Sequence, residues 1–369
     1  MFACQHQHAN KQLLLKKILH IVGNRPQFIK LAVLYKELEA SGQFSQAIVH
    51  SGQHFTYEMD GLFFKELGIP QPAVNFNLQH ISANQFIGLA ADALQEYFST
   101  QQAAVVLVYG DTNTTLAAAI AAKRRQLPLI HFEAGVRTGD NSMPEEINRL
   151  LTDRLADINY CCTQQNLDQL RAEGYGNAID SKALLTGDLM LDAFLKIPAG
   201  NMRNDDLPQQ YVLCTIHRAA NLQQPDNLRS IIEGLNRLHG EQPVVMPMHP
   251  HTQKKITAYG LQPRFITLAP VGYPEMKQLL QGCSAVITDS GGTSREAYFM
   301  QKKSLIIMEH PFWPEIMEAG CSLQCNAVPG EIVEKAHKLA HLAPDFDGRI
   351  FGNGNAAKNI RDQLENYFG

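Results

Sequence analysis

Hydrophobic positions along the chain alternate between two rhythms. Short unbroken apolar runs such as "KILHIVG", "QAIVHSG", "AAVVLVYGD" and "LPLIHFEAG" are separated by longer stretches, "QFIKLAVLYKELEAS" and "TTLAAAIAAKRRQ" among them, whose apolar positions recur with helical spacing. The same beat returns at "QYVLCTIHR", "DNLRSIIEGLNRLHG" and "PVVMPMHP". A strand that does not alternate is buried on both faces, so strand and helix in alternation predict parallel sheets covered by helices on each side. Short connections favour right-handed crossovers. The stretch "KIPAGNMRNDDLPQ" interrupts the pattern with Pro, Gly, Asn and Asp and predicts a linker over residues 196–208.

The predicted fold is therefore α/β, with two Rossmann-like, doubly wound domains at residues 18–195 and 209–350. A loose extension is expected over 1–17, and a final helix over 351–369 returning to the N-terminal domain. A chain of 369 residues exceeds one typical core, which agrees with two domains. Two such domains face each other with their strand carboxyl ends toward a shared cleft, and function is expected there.

Composition narrows the chemistry. With 45% hydrophobic and 18% charged residues the chain is ordinary globular protein, and a net charge of -4 gives no general affinity for nucleic acid or anionic lipid. Any anionic ligand must be met by locally placed cations. The seven cysteines are scattered without CxxC or zinc spacing, which fits a reducing cytoplasm and predicts no metal cluster. Adjacent Cys161 and Cys162 follow the apolar run "LADINY" and are expected to be packing residues. No apolar run is long enough to cross a membrane.

Within this frame, "AVITDSGGTSREAYF" places a strand end, two glycines and a helix start in succession. Free N–H groups and the helix dipole converge at such a turn, so Ser290, Gly291 and Gly292 predict a phosphate site. The spacing is neither GxGxxG nor a P-loop, which disfavours a dehydrogenase or an NTPase. The helix is expected to open near Thr293, and Glu296 one turn in would suit two sugar hydroxyls. "VGNRPQFIK" likewise follows a strand, putting Arg25 and Lys30 at the mouth of the N-terminal sheet, where they would face a diphosphate held by the other domain. Asp111 and Glu133 each stand at the end of an apolar run, where an open α/β sheet places its ligand. Glu145, Glu146 and Arg149 open a helix at Pro144; acids there also complement a helix dipole, and that reading stays open for both glutamates. His217 and His249 each follow a C-terminal strand.

Carboxylates, imidazoles, cations and a diphosphate site, without a serine or thiol triad, suit one reaction in particular. Cations and amides stabilise a departing diphosphate. An electron-poor C1 acidifies the neighbouring C2–H, so a carboxylate can remove it, leaving a glycal, and a second acid on the opposite face can return a proton. The alternatives are transfer of the sugar to an acceptor, its release by hydrolysis, and binding without turnover.

At these residues the chain resembles the non-hydrolysing UDP-N-acetylglucosamine 2-epimerase family. The ordered motifs "GNRPQFIK", "SGQH", "GDTNTTLA", "HFEAGVRTGD", "MPEEINR", "TGDLMLDA", "TIHR", "DSGGTSREA" and "WPEIMEAG" carry the resemblance over nearly the whole sequence. It implies the glycosyltransferase-B architecture, an active site in the interdomain cleft, a cytoplasmic homodimer serving bacterial surface polysaccharide synthesis, and a UDP-sugar substrate with no cofactor. It further implies Asp111, Glu133, Glu145 and His217 as catalytic residues. Arg25, Lys30, Arg149, His249, Ser290, Gly291, Gly292 and Glu296 would hold substrate, with Glu296 on the ribose. "RPQFIK", "GQHF" and Trp313 resemble the branch acting on UDP-2,3-diacetamido-2,3-dideoxyglucuronate. Asn24, where Thr is usual, and Ala220, where Glu is common, depart from both branches.

Overall fold

A computed structural model describes residues 15–53, 64–79, 81–202 and 207–368. Most of the expected N-terminal extension, and His54 and Phe55 of "GQHF", lie outside the described residues.

The elements run β1 Lys16–Val22, α1 Arg25–Ser41, β2 Phe44–His50, β3 Val74–Asn75, α2 Ala83–Ser99, β4 Val105–Tyr109, α3 Asn113–Arg124, β5 Leu129–Ala134, α4 Pro144–Leu155, β6 Ile158–Cys161, α5 Gln164–Ala172, β7 Lys182–Leu185 and α6 Leu189–Lys196. After the linker come β8 Val212–Thr215, α7 Ala219–Leu222, α8 Pro225–His239, β9 Val244–Pro247, α9 Pro250–Ala258, β10 Ile266–Leu268, α10 Tyr273–Gly282, β11 Ala285–Thr288, α11 Gly291–Phe299, β12 Ser304–Ile307, α12 Pro314–Glu318, β13 Ser322–Cys325, α13 Pro329–Ala340 and α14 Ala356–Phe368.

They form two parallel sheets, β3-β2-β1-β4-β5-β6-β7 and β10-β9-β8-β11-β12-β13. In each the order reverses beside the first strand, and that reversal opens the crevice in which such sheets bind ligands. The first strand begins at Lys16, slightly before the predicted boundary, because its pairing with β2 starts at Lys16 opposite Phe44. Strands β4, β5 and β6 are locked by a stack of Tyr109, Phe132 and Tyr160, with ring centroids 5.0 and 5.4 Å apart. That stack aligns the strand ends bearing the candidate acids.

The chain passes between the domains twice. It crosses first through the linker, where Lys277 of α10 donates to the Phe194 carbonyl and, at 2.6 Å, to that of Ile197. It returns before α14, which packs on α1 and α6 and buries Ile360 and Leu364 in the N-terminal core. The Asp192 carboxylate of α6 accepts the first N–H groups of α14, from Ala356 at 3.0 Å and Ala357 at 2.9 Å, as a helix start favours. Among the described residues, no helix is long and apolar enough to cross a membrane.

Candidate active site

The loop after β4 is set by Gln27, a buried residue of α1. Its amide oxygen accepts from Gly23 N at 2.7 Å, and its amide nitrogen donates to the Tyr109 carbonyl at 2.7 Å and the Thr112 hydroxyl at 3.0 Å. From beneath, His131 bridges the Gly110 carbonyl and Asp153, each at 2.7 Å. Gly110 itself turns with φ +65°, a left-handed conformation that glycine adopts freely. Asp111 thus leaves a rigid corner, and its carboxylate pairs with Arg149 of α4.

Arg149 is buried and reaches Glu146 on its other side at 2.5 Å. Of the two adjacent glutamates, Glu146 serves structure: it accepts from Thr138 N at 3.1 Å, the Thr138 hydroxyl at 2.9 Å and Gly139 N at 3.2 Å, closing the loop after β5. Glu145, half-buried beside it, has no such ties among the described residues, and its charge attracts Arg218 of the other domain.

Glu133 occupies a defect in the sheet. Residues Phe132 and Ala134 pair with consecutive residues Tyr160 and Cys161, leaving Glu133 as the extra residue of a bulge with φ +70°. A non-glycine residue in that region costs on the order of 1–3 kcal/mol, a cost tolerated where surroundings fix the conformation and where bulges re-aim a side chain. Here the surroundings are Lys30, which pairs with the Glu133 carboxylate, and Arg295 of α11, which reaches it at 3.1 Å from the other domain. Burial would raise this carboxyl, but Arg295 and Lys30 overcome it and hold the group at about 2. Lys30, expected at a diphosphate, is instead turned beneath the strand ends and buried.

Arg295 also pairs with Asp188 at 2.9 Å, and its guanidinium lies 4.8 Å from the centre of the Trp313 ring. Asp188 caps α6 by accepting from Met190 N at 2.8 Å, and burial pushes its carboxyl up. Glu133, Cys162 and Asp188 bring one possible metal ligand each within 4.8 Å of one another. The positive charge at their centre is already supplied by Lys30 and Arg295, so the donor set fits a salt-bridge cluster better than a metal.

On the C-terminal side, α11 opens at Gly291 rather than near Thr293, because Ser290 caps it by accepting from Thr293 N at 3.2 Å. Both glycines therefore belong to the half-buried first turn, where a helix leaves its amides open to an anion. A Cβ on Gly291 would stand 2.5 Å from the Phe312 ring, and the Gly291 carbonyl accepts from the Trp313 indole at 2.9 Å, so glycine is required by close packing. Buried Asp289 ties the β8 and β11 loops together, accepting from His217 N at 3.0 Å, Arg218 N at 2.9 Å and the Asn221 amide at 3.0 Å. It also lies 3.2 Å from His217 Nδ1, orienting a half-exposed imidazole toward the cleft.

Glu296 is buried, and burial raises its carboxyl to about 7 against the pull of Arg295. Arg25 begins α1 after Asn24, which caps that helix by accepting from Gln27 N at 3.3 Å, the service expected of Thr there. His249 stands exposed at the end of β9, where it caps α9 through a bond from His251 N at 3.2 Å. The two halves meet directly: Arg149 lies 5.0 Å from the Phe312 ring centre, Thr163 donates to Glu315 at 2.6 Å, and Arg295 joins Glu133. Asp111 thus reaches the C-terminal side through Arg149 and the Phe312 ring, and Glu133 reaches it through Arg295 of α11, while Glu145 lies in the first turn of α4.

The family model described as UDP-N-acetylglucosamine 2-epimerase matches residues 36–365. The chain belongs to the UDP-N-acetylglucosamine 2-epimerase family. The UDP-2,3-diacetamido-2,3-dideoxy-D-glucuronate 2-epimerase of Pseudomonas aeruginosa is 38% identical over 351 residues, covering 94% of this chain and 99% of that protein. A UDP-N-acetylglucosamine 2-epimerase homolog of Methanococcus maripaludis is 35% identical, with 95% and 99% covered. The crystal structure of the Methanocaldococcus jannaschii UDP-GlcNAc 2-epimerase in complex with UDP-GlcNAc and UDP superposes with a TM-score of 0.88 at 28% identity, covering 95% of this chain and 99% of that one. Members of this epimerase family are isomerases, and the two-domain α/β architecture is theirs.

Four residues of the candidate epimerase site have no assigned role from sequence alone: Arg295, Asp188, Asp289 and Arg218. A charged residue next to a glycine turn, inside a helix otherwise buried, marks Arg295. The Gly-Asp pair before an apolar helix marks Asp188 as a cap.

Proposed function

We propose that the protein interconverts the C2 epimers of a UDP-linked N-acetylated hexose, either UDP-GlcNAc and UDP-ManNAc or the 2,3-diacetamido uronate pair. The observation that supports this reading best is that Glu133, in the bulge of β5, is tied by Arg295 to the helix whose N-terminus is suited to a diphosphate, with Asp111 after β4 and Glu145 in the first turn of α4 on the same domain. UDP leaves C1 with the bonding electrons, the C2 proton passes to a carboxylate, and the glycal results. Return of a proton to the opposite face of C2 and re-addition of UDP at C1 complete the exchange, with no net loss of atoms or electrons.

In this reading Glu133, kept ionised by Lys30 and Arg295, stabilises the positive charge that grows at C1 as UDP departs. Asp111 and Glu145 carry the proton transfers at C2. His217, held by Asp289, offers an N–H to a phosphate oxygen, and Arg25 with the first turn of α11 receives the rest of the diphosphate. Incubation in deuterated water with a panel of UDP-sugars, read by proton NMR, tests the proposal. Deuterium should enter C2 without accumulation of free UDP, and absence of exchange from every such sugar would refute it.

Glu296 takes the ribose hydroxyls, which donate and therefore favour the carboxylate. Since its carboxyl sits at about 7, binding at lower pH must first expel a proton. UDP affinity should weaken by up to about tenfold per pH unit below 7 and level off above it. Titration calorimetry in buffers of different ionisation enthalpy should register the released proton, and Glu296→Gln should flatten this slope. A wild-type slope unchanged in that variant would remove Glu296 from the ribose.

We place the enzyme in the cytoplasm, where nucleotide sugars are made; the six described cysteines are free and buried. A homodimer is supported by Ile147 and Leu151, exposed on α4, and Leu89 on α2.

A further inference from the structure

The corner that carries Asp111 has three successive carbonyls, and each is held by a different part of the fold. That of Tyr109 accepts from the Gln27 amide at 2.7 Å and the Thr115 hydroxyl at 2.8 Å, and that of Asp111 accepts from the Asn148 amide at 2.9 Å. The Gly110 carbonyl between them accepts from His131 Nε2 at 2.7 Å. Amides and hydroxyls keep one charge state there, whereas an imidazole can change its own. His131 is wholly buried behind the corner, and the chemistry at C2 gives it no task.

Its two hydrogen bonds fix its protonation. Nδ1 lies 2.7 Å from the Asp153 carboxylate and Nε2 2.7 Å from a peptide oxygen; neither partner has a proton to give, so each ring nitrogen carries one. The second Asp153 oxygen accepts from Arg137 at 2.7 Å and Gly135 N at 3.2 Å. Burial would raise this carboxyl, but His131 and Arg137 hold it below the ordinary carboxylate range. Charge balance agrees: Arg137 also holds Glu173 by two bonds of 2.9 Å, so two acids share one arginine, and the ring supplies the second positive charge. The other neighbours are neutral or already matched. Asn159 of β6 donates to the Asp153 carbonyl at 2.9 Å, and burial pushes up the Cys161 thiol and the Tyr175 hydroxyl. Arg171 and Asp168 of α5 pair with each other, and beyond Gly110, Lys30 and Arg149 are paired with Glu133 and Asp111.

We propose that His131 is a buried imidazolium acting as a positioning residue, pinning the Gly110 carbonyl so that Asp111 stays aimed for proton transfer at C2. The inference rests on the 2-epimerase reading above, which gives Asp111 that proton to carry. In the trans peptide from Gly110 to Asp111 the N–H points away from the carbonyl, so a carbonyl drawn onto the ring commits the whole plane from which Asp111 departs. A charge-assisted hydrogen bond is about twice as strong as a neutral one. Loss of the proton turns a lone pair toward either the carboxylate or the carbonyl, and Gly110, at φ +65°, is then free to swing.

Two measurements test it. Long-range nitrogen–proton NMR of wild type with isotopically labelled histidine, His131 being assigned through its backbone links to Ile130 and Phe132, should show both ring nitrogens protonated at the pH of fastest exchange. A bare nitrogen there overturns the proposal, and this arm needs no variant to fold. The second follows kcat for C2 exchange against pH at saturating UDP-sugar, where ribose binding by Glu296 no longer counts. His131→Gln keeps one neutral donor and should lower kcat by about 10–100-fold, the cost of a displaced reacting group, with KM and the Kd for UDP within about threefold. Its profile should lack the alkaline fall of wild type. Asp153→Asn keeps the shape but removes the charge that holds the proton, so its alkaline fall should begin about one pH unit or more below that of wild type. An alkaline fall at the same pH in all three proteins, or a loss confined to KM, overturns the positioning role. No exchange by wild type on any UDP-sugar, with His131 doubly protonated, overturns instead the 2-epimerase reading and the task given to Asp111.

Discussion

Glu133→Gln should lower C2 exchange by about 10²–10³-fold, the loss seen when one fixed electrostatic partner of a developing charge is removed. The amide keeps the shape of the side chain and the bulge around it, so substrate should still bind and the deficit should fall on kcat. Folding should suffer too, because Lys30 loses its acid and Arg295 keeps only Asp188. Breaking such a buried pair from one side costs on the order of 3 kcal/mol. A carboxyl held at about 2 contributes its stability fully above the ordinary carboxylate range and loses it only as pH falls through that value. The deficit of the variant should therefore be the same at pH 6 and pH 8. Urea unfolding at both values, with single-turnover exchange beside it, checks the prediction, and an unimpaired kcat would dismiss Glu133 from the chemistry.

Arg295→Met should be more damaging to the fold. It strands fully buried Asp188, leaves Glu133 with Lys30 alone, and removes the only ion pair among the described residues that joins Glu133 to the other domain. The expected loss is about 3–5 kcal/mol. Its pH dependence should have the opposite character from that of Glu133→Gln. Without their cation both carboxyls rise, and a raised carboxyl costs stability as pH increases, since only the unfolded chain can then ionise freely. Denaturation midpoints should diverge from wild type more at pH 8 than at pH 5.5. A constant gap would show that Asp188 finds another partner.

The sequence exposes those parts of the site that depend on local order. Asp111, Glu133 and His217 follow apolar runs, and a parallel sheet places whatever follows such a run at the cleft. Ser290, Gly291 and Gly292 are visible because a glycine turn between strand and helix has one common use. The roles of Lys30 and Arg295 depend on contacts across the fold: their shared partner Glu133 is 103 residues from Lys30 and 162 from Arg295. Nothing in the spacing says that the lysine turns inward while an arginine arrives from the other domain. Glu145 and Glu146 look interchangeable in sequence, and only helix phase separates the one facing the cleft from the one that closes a loop. The helix after Ser290 starts two residues before the expected Thr293 for a related reason, since two glycines suggest a turn while the serine hydroxyl caps the first of them into the helix.

Two polypeptide crossings join the domains, one through the linker and one leading into α14, and both ends of the joint are anchored to α6. A joint with two strands resists torsion and leaves bending about one axis as its soft motion. Any opening of the groove would thereby be steered along a single path, which would bring the acids of one wall and the phosphate turn of the other back to the same mutual position.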